Sequence, residues 1–167
     1  MSDPKKQPGL KLNQILLEEA SFSHAEDWLT REVPVDGLPE LPLTVGMRFG
    51  RAADGTGALV GIQVSTIADE VRPPRYNIRV AVVGIVEVDD EPNLEPDEYA
   101  LTAGASLLYP FLREIVANLT MRGRFGPIWL KPFNMKLAVH EILHAARSGS
   151  GATALGLPSR AHGPQKD

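Results

Sequence analysis

One short motif in this sequence combines residue types with a spacing that could do chemistry. His140, Glu141 and His144 form an H-E-x-x-H pattern inside residues 133–147, a segment with helical periodicity. Two histidines four residues apart lie on the same face of a helix, where they can bind zinc while the glutamate activates a zinc-bound water. A zinc metallopeptidase is therefore one hypothesis for the function.

The sequence around this motif lacks the third protein ligand that catalytic zinc requires. The extended motif would have glycine at position 147 and histidine at position 150, but the chain has Arg147 and Ser150, and no glutamate follows Glu141. The alternative is that the motif forms the polar face of an amphipathic helix, whose Leu137, Ile142 and Leu143 pack inward. We favour this alternative, and we predict no catalytic residue, no metal and no cofactor.

The composition narrows the classes of function further. The 167 residues include no cysteine, which excludes disulfides and thiolate chemistry, and the net charge of −4 offers no basic surface for nucleic acid. Hydrophobic residues make up 43%, more than a disordered chain has, and the length suits one domain. The N-terminus lacks the apolar core of a signal peptide, and no apolar run approaches the roughly 20 residues of a membrane span. We expect a cytoplasmic protein that is not inserted in a membrane.

Alternating apolar residues predict four β-strands in the first half of the chain. The segments are residues 10–23, 43–49, 58–66 and 75–88. In the first segment the alternation shifts phase near Gln14, which indicates a β-bulge. Short turns between strands that share one apolar face favour an antiparallel sheet.

Two helices are predicted after the strands. Pro96 and the acidic residues that follow it mark the start of a long helix, residues 96–122, and a shorter helix covers residues 133–147. Pro110 lies inside the long helix and is expected to kink it, because proline lacks a backbone donor. The predicted fold class is α+β: a four-stranded antiparallel sheet followed by a long kinked helix and a shorter C-terminal helix. Residues 10–147 form the domain, and residues 1–9 and 148–167 are predicted to be flexible tails.

The long helix carries more apolar residues than one core contact needs. Its apolar stripe is wide enough for two faces, one of which can pack on the chain's own sheet and the other on a second subunit. The alternative is a monomer in which the second helix and the loops cover both faces. We favour an oligomer, with a predicted interface of Leu107, Leu108, Phe111, Leu112, Ile115 and Leu119.

The segment between the two helices is apolar but has the composition of a loop. Residues 123–133 contain two glycines and two prolines, and they also contain Phe125, Ile128, Trp129 and Leu130. Such a loop either packs onto the body of the protein or offers its apolar groups to a ligand. Together with an apolar sheet face and no catalytic constellation, this loop favours a protein that binds apolar polypeptide.

Several stretches of the chain resemble the SecB family of chaperones. The resemblance covers residues 10–147 and is most specific over residues 107–138. The matching features are an aromatic-proline-aromatic step in the long helix, an Arg-Glu pair, an Arg-Gly-x-Phe helix end and a Pro-x-Asn start to the second helix. In this sequence they are Tyr109-Pro110-Phe111, Arg113-Glu114, Arg122-Gly123-Arg124-Phe125 and Pro132-Phe133-Asn134-Met135.

The resemblance implies four antiparallel strands with a long and a short helix, and a homotetramer in which the long helices join two dimers. It also implies that the protein is not an enzyme. Members of the family hold unfolded polypeptides, their clients, without ATP, in apolar grooves between the second helix, the crossover loop and the sheet. Carried over by position, the client-binding groove would consist of Leu43, Val45, Met47, Phe125, Ile128, Trp129, Leu130, Phe133, Met135, Leu137 and Ala138.

The resemblance implies two kinds of client and one further partner. In the exporting members, acidic residues on the outer sheet face dock the SecA motor, and Glu18 and Glu19 are the candidates for that role here. A position on the fourth strand that is acidic in those members is Arg79 in this chain, so we expect weak coupling to SecA. Other SecB-like proteins guard the antitoxin of a toxin–antitoxin pair. The clients are therefore expected to be either preproteins for export or an antitoxin.

Overall fold

An antiparallel sheet forms one layer of this computed structural model, which describes residues 9–35, 37–52, 57–69, 73–88, 96–147 and 154–157. Within these ranges the strands are β1 (Leu10–His24), β2 (Leu43–Arg51), β3 (Ala58–Thr66), β4 (Tyr76–Val88) and β5 (Ala154–Leu157). Their order across the sheet is β1-β4-β3-β2-β5, with every neighbouring pair antiparallel. The first four are the strands that the sequence predicted.

The second layer consists of helices packed on one face of that sheet. The helices are α1 (Glu26–Thr30), α2 (Pro96–Thr120) and α3 (Met135–Arg147). The α3 helix is capped by Asn134, whose side-chain oxygen accepts a hydrogen bond from the Leu137 N–H at 3.1 Å. The predicted α+β class is confirmed, and the helix boundaries differ from the prediction by two residues at the end of α2 and at the start of α3.

The β1 strand contains two register shifts, and it packs Leu10, Leu12, Ile15 and Phe22 against the core while Leu16 and Leu17 are 42% and 55% exposed. One shift lies between Leu12 and Gln14, where the sequence predicted a bulge, and that prediction is confirmed. The other lies between Leu17 and Glu19 and was not predicted. Each shift resets the alternation of the strand, so that Phe22 near its end still packs against the core.

The α2 helix lies close against the inner face of the sheet because two glycines leave room for it. A Cβ atom at Gly104 of α2 would lie 2.8 Å from a methyl carbon of Val60, and one at Gly84 of β4 would lie 3.0 Å from Leu108. Leu108 and Leu112 are fully buried in the core that results. This contact removes the inner stripe of α2 from water, which is the main stabilising term for the two layers.

The α2 helix continues through Pro110. Proline has no N–H, so the Ser106 carbonyl has no intrahelical donor four residues later. Ser106 and Pro110 are both exposed, so water can reach that carbonyl. The Ser106 hydroxyl donates to the Thr102 carbonyl at 2.7 Å, one turn earlier in the same helix. The helix therefore accommodates the proline on its exposed side.

The β5 strand comes from the segment that the sequence predicted to be a flexible C-terminal tail. Ala154–Leu157 pair with β2, while the other residues of 148–167 lie outside the described part of the chain, as do residues 1–8 of the predicted N-terminal tail. Four residues in a segment rich in glycine and serine give no alternation long enough to predict a strand. In the described ranges, no helix has both the length and the apolar character needed to cross a bilayer.

Candidate binding surface

Hydroxyl groups of the body hold the loop between α2 and α3, which we call the crossover loop (residues 121–134). The hydroxyl of Tyr76, a fully buried residue of β4, accepts a hydrogen bond from the Phe125 N–H at 2.7 Å and donates to the Gly126 carbonyl at 3.3 Å. Burial raises the pKa of Tyr76 above its usual value, although the bond from Phe125 opposes this. Gly123 is required nearby, because a Cβ atom there would collide with the Tyr76 hydroxyl.

Two hydroxyl groups of α2 also hold the crossover loop. Thr120 donates to the Val116 carbonyl at 2.7 Å and accepts a hydrogen bond from the Ile128 N–H at 2.8 Å. The Tyr109 hydroxyl donates to the Lys131 carbonyl at 2.6 Å, and burial raises the pKa of Tyr109 to about 12, so it stays a donor at neutral pH. Side chains of the body thus satisfy backbone groups of the crossover loop that lie outside any helix or strand.

Arg124 connects the crossover loop to α1. Its backbone N–H donates to His24 Nε2 at 3.1 Å, and its guanidinium donates to the carbonyls of Trp28, at 2.9 Å, and Leu29. The buried Trp28 ring packs edge-on against Phe125, with ring centroids 5.6 Å apart. Sequence reasoning missed α1, because five residues give no helical period, and the lone tryptophan in a polar segment was its one signal.

The predicted groove residues lie in three different environments. Seven of them are buried in the chain's own core: Leu43, Val45, Met47, Ile128, Leu130, Met135 and Ala138. Phe125 and Phe133 are partly buried against that core. Trp129 of the crossover loop and Leu137 of α3 are 52% and 53% exposed. These last two, which we call the anchor residues, are the predicted groove residues with most apolar surface left for a ligand.

The predicted interface residues of α2 divide in the same way. Leu108 and Leu112 are fully buried within the chain, so they have no surface to offer to a second subunit. Ile115 and Leu119 are partly buried against the core. Leu107 and Phe111 are 42% and 43% exposed, and they lie four residues apart on one face of the helix. Exposed apolar surface on α2 is therefore concentrated at these two residues.

The H-E-x-x-H motif lies on the solvent side of α3. His140, Glu141 and His144 are all exposed, while Ile142 is buried and Leu143 packs against the core. The prediction that Leu137 also packs inward is wrong, because this residue is 53% exposed. In the described ranges, no group of three or more His, Asp or Glu side chains is arranged to hold a metal ion. The motif therefore has the geometry of the polar face of an amphipathic helix, and the structure does not support the metallopeptidase hypothesis.

The outer face of the sheet carries two ion pairs that involve the predicted motor-docking acids. Glu19 pairs with Arg79 of β4, with a distance of 2.9 Å between the Arg79 Nε and the Glu19 carboxylate, and Glu18 pairs with Arg48 of β2. Arg48 passes over Gly61 of β3, where a Cβ atom would lie 2.6 Å from its side chain. Both carboxylates thus already have a cation from the same chain. Each pair is solvent-exposed and contributes about 0–1 kcal/mol.

The structure thus combines a sheet covered on one face by a long and a short helix with a connecting loop that the body holds in place and that exposes Trp129. A solved structure of a SecB-like chaperone from Mycobacterium tuberculosis, in complex with a ChAD peptide from an antitoxin, has a similar fold. The TM-score is 0.55 over 75% of this chain and 91% of that chain, with 17% sequence identity.

The model of the family described as preprotein translocase subunit SecB matches residues 3–143, and the chain belongs to this family. Protein-export protein SecB of Burkholderia lata is 24% identical over 164 residues, which are 95% of this chain and 97% of that protein. Protein-export protein SecB of Burkholderia multivorans is also 24% identical over 164 residues, with the same two shares. The resemblance inferred from the sequence is thereby confirmed.

We expect the Tyr76 hydroxyl to hold the crossover loop in place. Tyr76→Phe leaves the Phe125 N–H and the Gly126 carbonyl without their partner and should lower the free energy of unfolding by roughly 1–3 kcal/mol. Tyr109→Phe is the matched control, because it removes a single bond, to the exposed Lys131, and should cost less. Urea unfolding of both variants measures the difference. A Tyr76→Phe variant as stable as the wild type would contradict this role.

Proposed function

We propose that this protein is a cytoplasmic, ATP-independent holding chaperone, which binds apolar segments of unfolded polypeptides and catalyses no reaction. The observation that carries the proposal is the exposure of Trp129 on a loop whose backbone is fixed by buried hydroxyls. A rigid exposed aromatic side chain is typical of a binding anchor, because little conformational entropy is lost when it is covered. Membership of the SecB family supports the same function.

The exposed area of an anchor residue sets an upper limit on the free energy that one client contact contributes. The exposed half of the Trp129 side chain is on the order of 100 Å², and covering it would contribute roughly 2–3 kcal/mol. A single anchor therefore gives weak binding. Tight holding of an unfolded chain requires several such contacts along one client, and an oligomer that presents copies of the same surface provides them through avidity.

The assembly we propose is a homotetramer built as a dimer of dimers. Leu107 and Phe111 are nearly half exposed on a helix whose opposite face already covers the sheet. Two large apolar side chains in water on one helix face favour a second copy of the chain as the covering surface. Ile115 and Leu119 would extend that interface through their partly exposed surface, whereas Leu108 and Leu112 would support it from inside the core.

Two client classes are proposed, preproteins for export and an antitoxin-type protein. The description of the matching family and the names of the Burkholderia relatives favour the first. The peptide bound to the mycobacterial SecB-like chaperone favours the second. Both classes present extended apolar segments, so one surface with exposed anchors would serve either.

Coupling to the SecA motor through the outer sheet face is proposed to be weak. A basic partner would meet Glu18 and Glu19 only after their pairs with Arg48 and Arg79 separate. The exposed pairs are easily broken, but the two arginines would remain in the contact and repel a basic surface. Charge on this face therefore gives little attraction to a basic partner.

We expect the anchor residues to carry client binding. Trp129→Thr and Leu137→Thr should each weaken binding of a reduced, carboxymethylated unfolded protein, by roughly tenfold for the tryptophan, because each removes exposed apolar area. Fluorescence anisotropy of the labelled client measures the affinity. Leu59→Thr is the matched control, since Leu59 is 41% exposed on the outer sheet face. The groove assignment fails if the control weakens binding as much as Trp129→Thr does.

Light scattering behind gel filtration should give a mass about four times 18.1 kDa. Phe111→Asp combined with Leu107→Asp should yield a smaller species with unchanged helix content, because both charges would be buried at the proposed interface. Lys136→Asp, at an exposed position of α3 outside the proposed interface, gives the same change in net charge and should leave the assembly intact. A monomeric wild type at micromolar concentration would refute the assembly.

Titration of a cognate SecA at low salt tests whether the outer sheet face attracts the motor only weakly. Wild-type protein should bind weakly, and Arg79→Glu should tighten binding several-fold, because it removes a cation and releases Glu19 from its pair. Arg122→Glu gives the same change in net charge at an exposed position of the crossover loop and should have little effect. Tight wild-type binding that Arg79→Glu leaves unchanged or weakens would overturn the proposal.

A further inference from the structure

The β5 strand occupies the edge of the sheet that the other four strands would leave open. It pairs antiparallel with the start of β2, with Leu157 opposite Leu43, Gly156 opposite Thr44, Leu155 opposite Val45 and Ala154 opposite Gly46. On its other side β2 pairs with β3 along its whole length. The chain's own C-terminal segment therefore covers the outer edge of β2 over four residues.

The uncovered edge of β2 would be a binding site for an extended chain. An edge strand presents a row of unpaired N–H and C=O groups, which pair with any segment that can adopt an extended conformation. Because backbone groups make the contact, such an edge accepts many sequences. That property suits a protein whose clients are unfolded polypeptides of varied sequence.

The position of this edge links it to the proposed binding surface. The β5 strand also lies against α3, the helix that carries the anchor residue Leu137. Leu43 and Val45 of β2 are each only 1% exposed, so their side chains already belong to the core. What remains at β2 for a ligand is therefore the backbone edge that β5 covers, next to α3.

The sequence of β5 is typical of a strand that pairs weakly and that a ligand can displace. Its four residues alternate leucine with alanine or glycine, and glycine weakens a strand. Six residues, 148–153, separate it from the end of α3 in the sequence. A connection of so few residues gives an effective concentration on the order of millimolar, so even a weak strand occupies the edge until a better ligand competes.

We propose that β5 is an intramolecular competitor of the clients: the C-terminal strand occupies the β2 edge until an extended apolar client segment displaces it. This inference rests on the proposed holding function and adds the way in which that function is regulated. The preferred client segment has at least four extended residues, with large aliphatic residues alternating with small ones, as in Ala154–Leu157. A client cannot pair with β2 while β5 occupies the edge. The apparent client affinity is therefore the intrinsic affinity multiplied by the fraction of molecules whose β2 edge is free.

The first test compares the full chain with a chain that ends at Arg147. Removal of residues 148–167 should tighten binding of the reduced, carboxymethylated client by about three- to tenfold, because the competitor is gone. Gly156→Pro in the full chain should have the same effect, since proline disrupts a strand. Gly163→Pro, outside β5, is the matched control and should change nothing. Equal affinities for the truncated and the full chain would overturn the inference.

A second measurement follows the edge itself. Amide hydrogen exchange at residues 43–46 should become faster in the truncated chain and should slow again when a peptide with the sequence of residues 152–159 is added. The same labelled peptide should bind the truncated chain at least several-fold more tightly than the full chain. An exchange rate at residues 43–46 that is the same in the truncated and in the full chain would also overturn the inference. If neither chain binds the unfolded client, the holding function itself has failed, which is a different result.

Discussion

The close contact between α2 and the inner face of the sheet is the interaction on which the rest of the structure depends. A side chain larger than glycine at Gly104 of α2 would crowd Val60 of β3, and one at Gly84 of β4 would crowd Leu108, so helix and sheet meet at a distance that favours glycine. This contact fixes the rotation of α2 on the sheet. Consequently it also decides which of its apolar residues are buried and which, such as Leu107 and Phe111, remain in contact with water.

The crossover loop depends on that contact because two of the three hydroxyls that hold it, those of Tyr109 and Thr120, belong to α2. A loop with two prolines and two glycines has few ways to satisfy its own backbone. Here the body satisfies it, and Trp129 can stay half exposed at a fixed place. The combination of a rigid backbone with an exposed apolar side chain is what a holding chaperone needs, since binding then orders the client and not the chaperone.

The two edges and the outer face of the sheet differ in what they can offer to a binding partner. β1 is one edge strand, and β2 would be the other without β5. On the outer face the arginines Arg48 and Arg79 meet the acids of β1, so charge there is largely balanced within the chain. Client contacts are thus expected on the side of α3 and the crossover loop, and the outer face offers little charge to attract a basic partner.

The sequence by itself determined the four long strands, the two long helices and the family, but neither α1 nor β5. Alternation located the four strands and the bulge near Gln14, because a strand with one buried face has a period of two, and Pro96 marked the start of α2. It could not determine which side chains of an apolar set remain exposed. Leu108 and Phe111 look alike in sequence, yet one is fully buried and the other is 43% exposed, because the rotation of α2 on the sheet separates them. Only the tertiary structure paired Arg79 with Glu19 and β5 with β2, since both pairings join residues that are distant in the chain and leave no periodic signal in it.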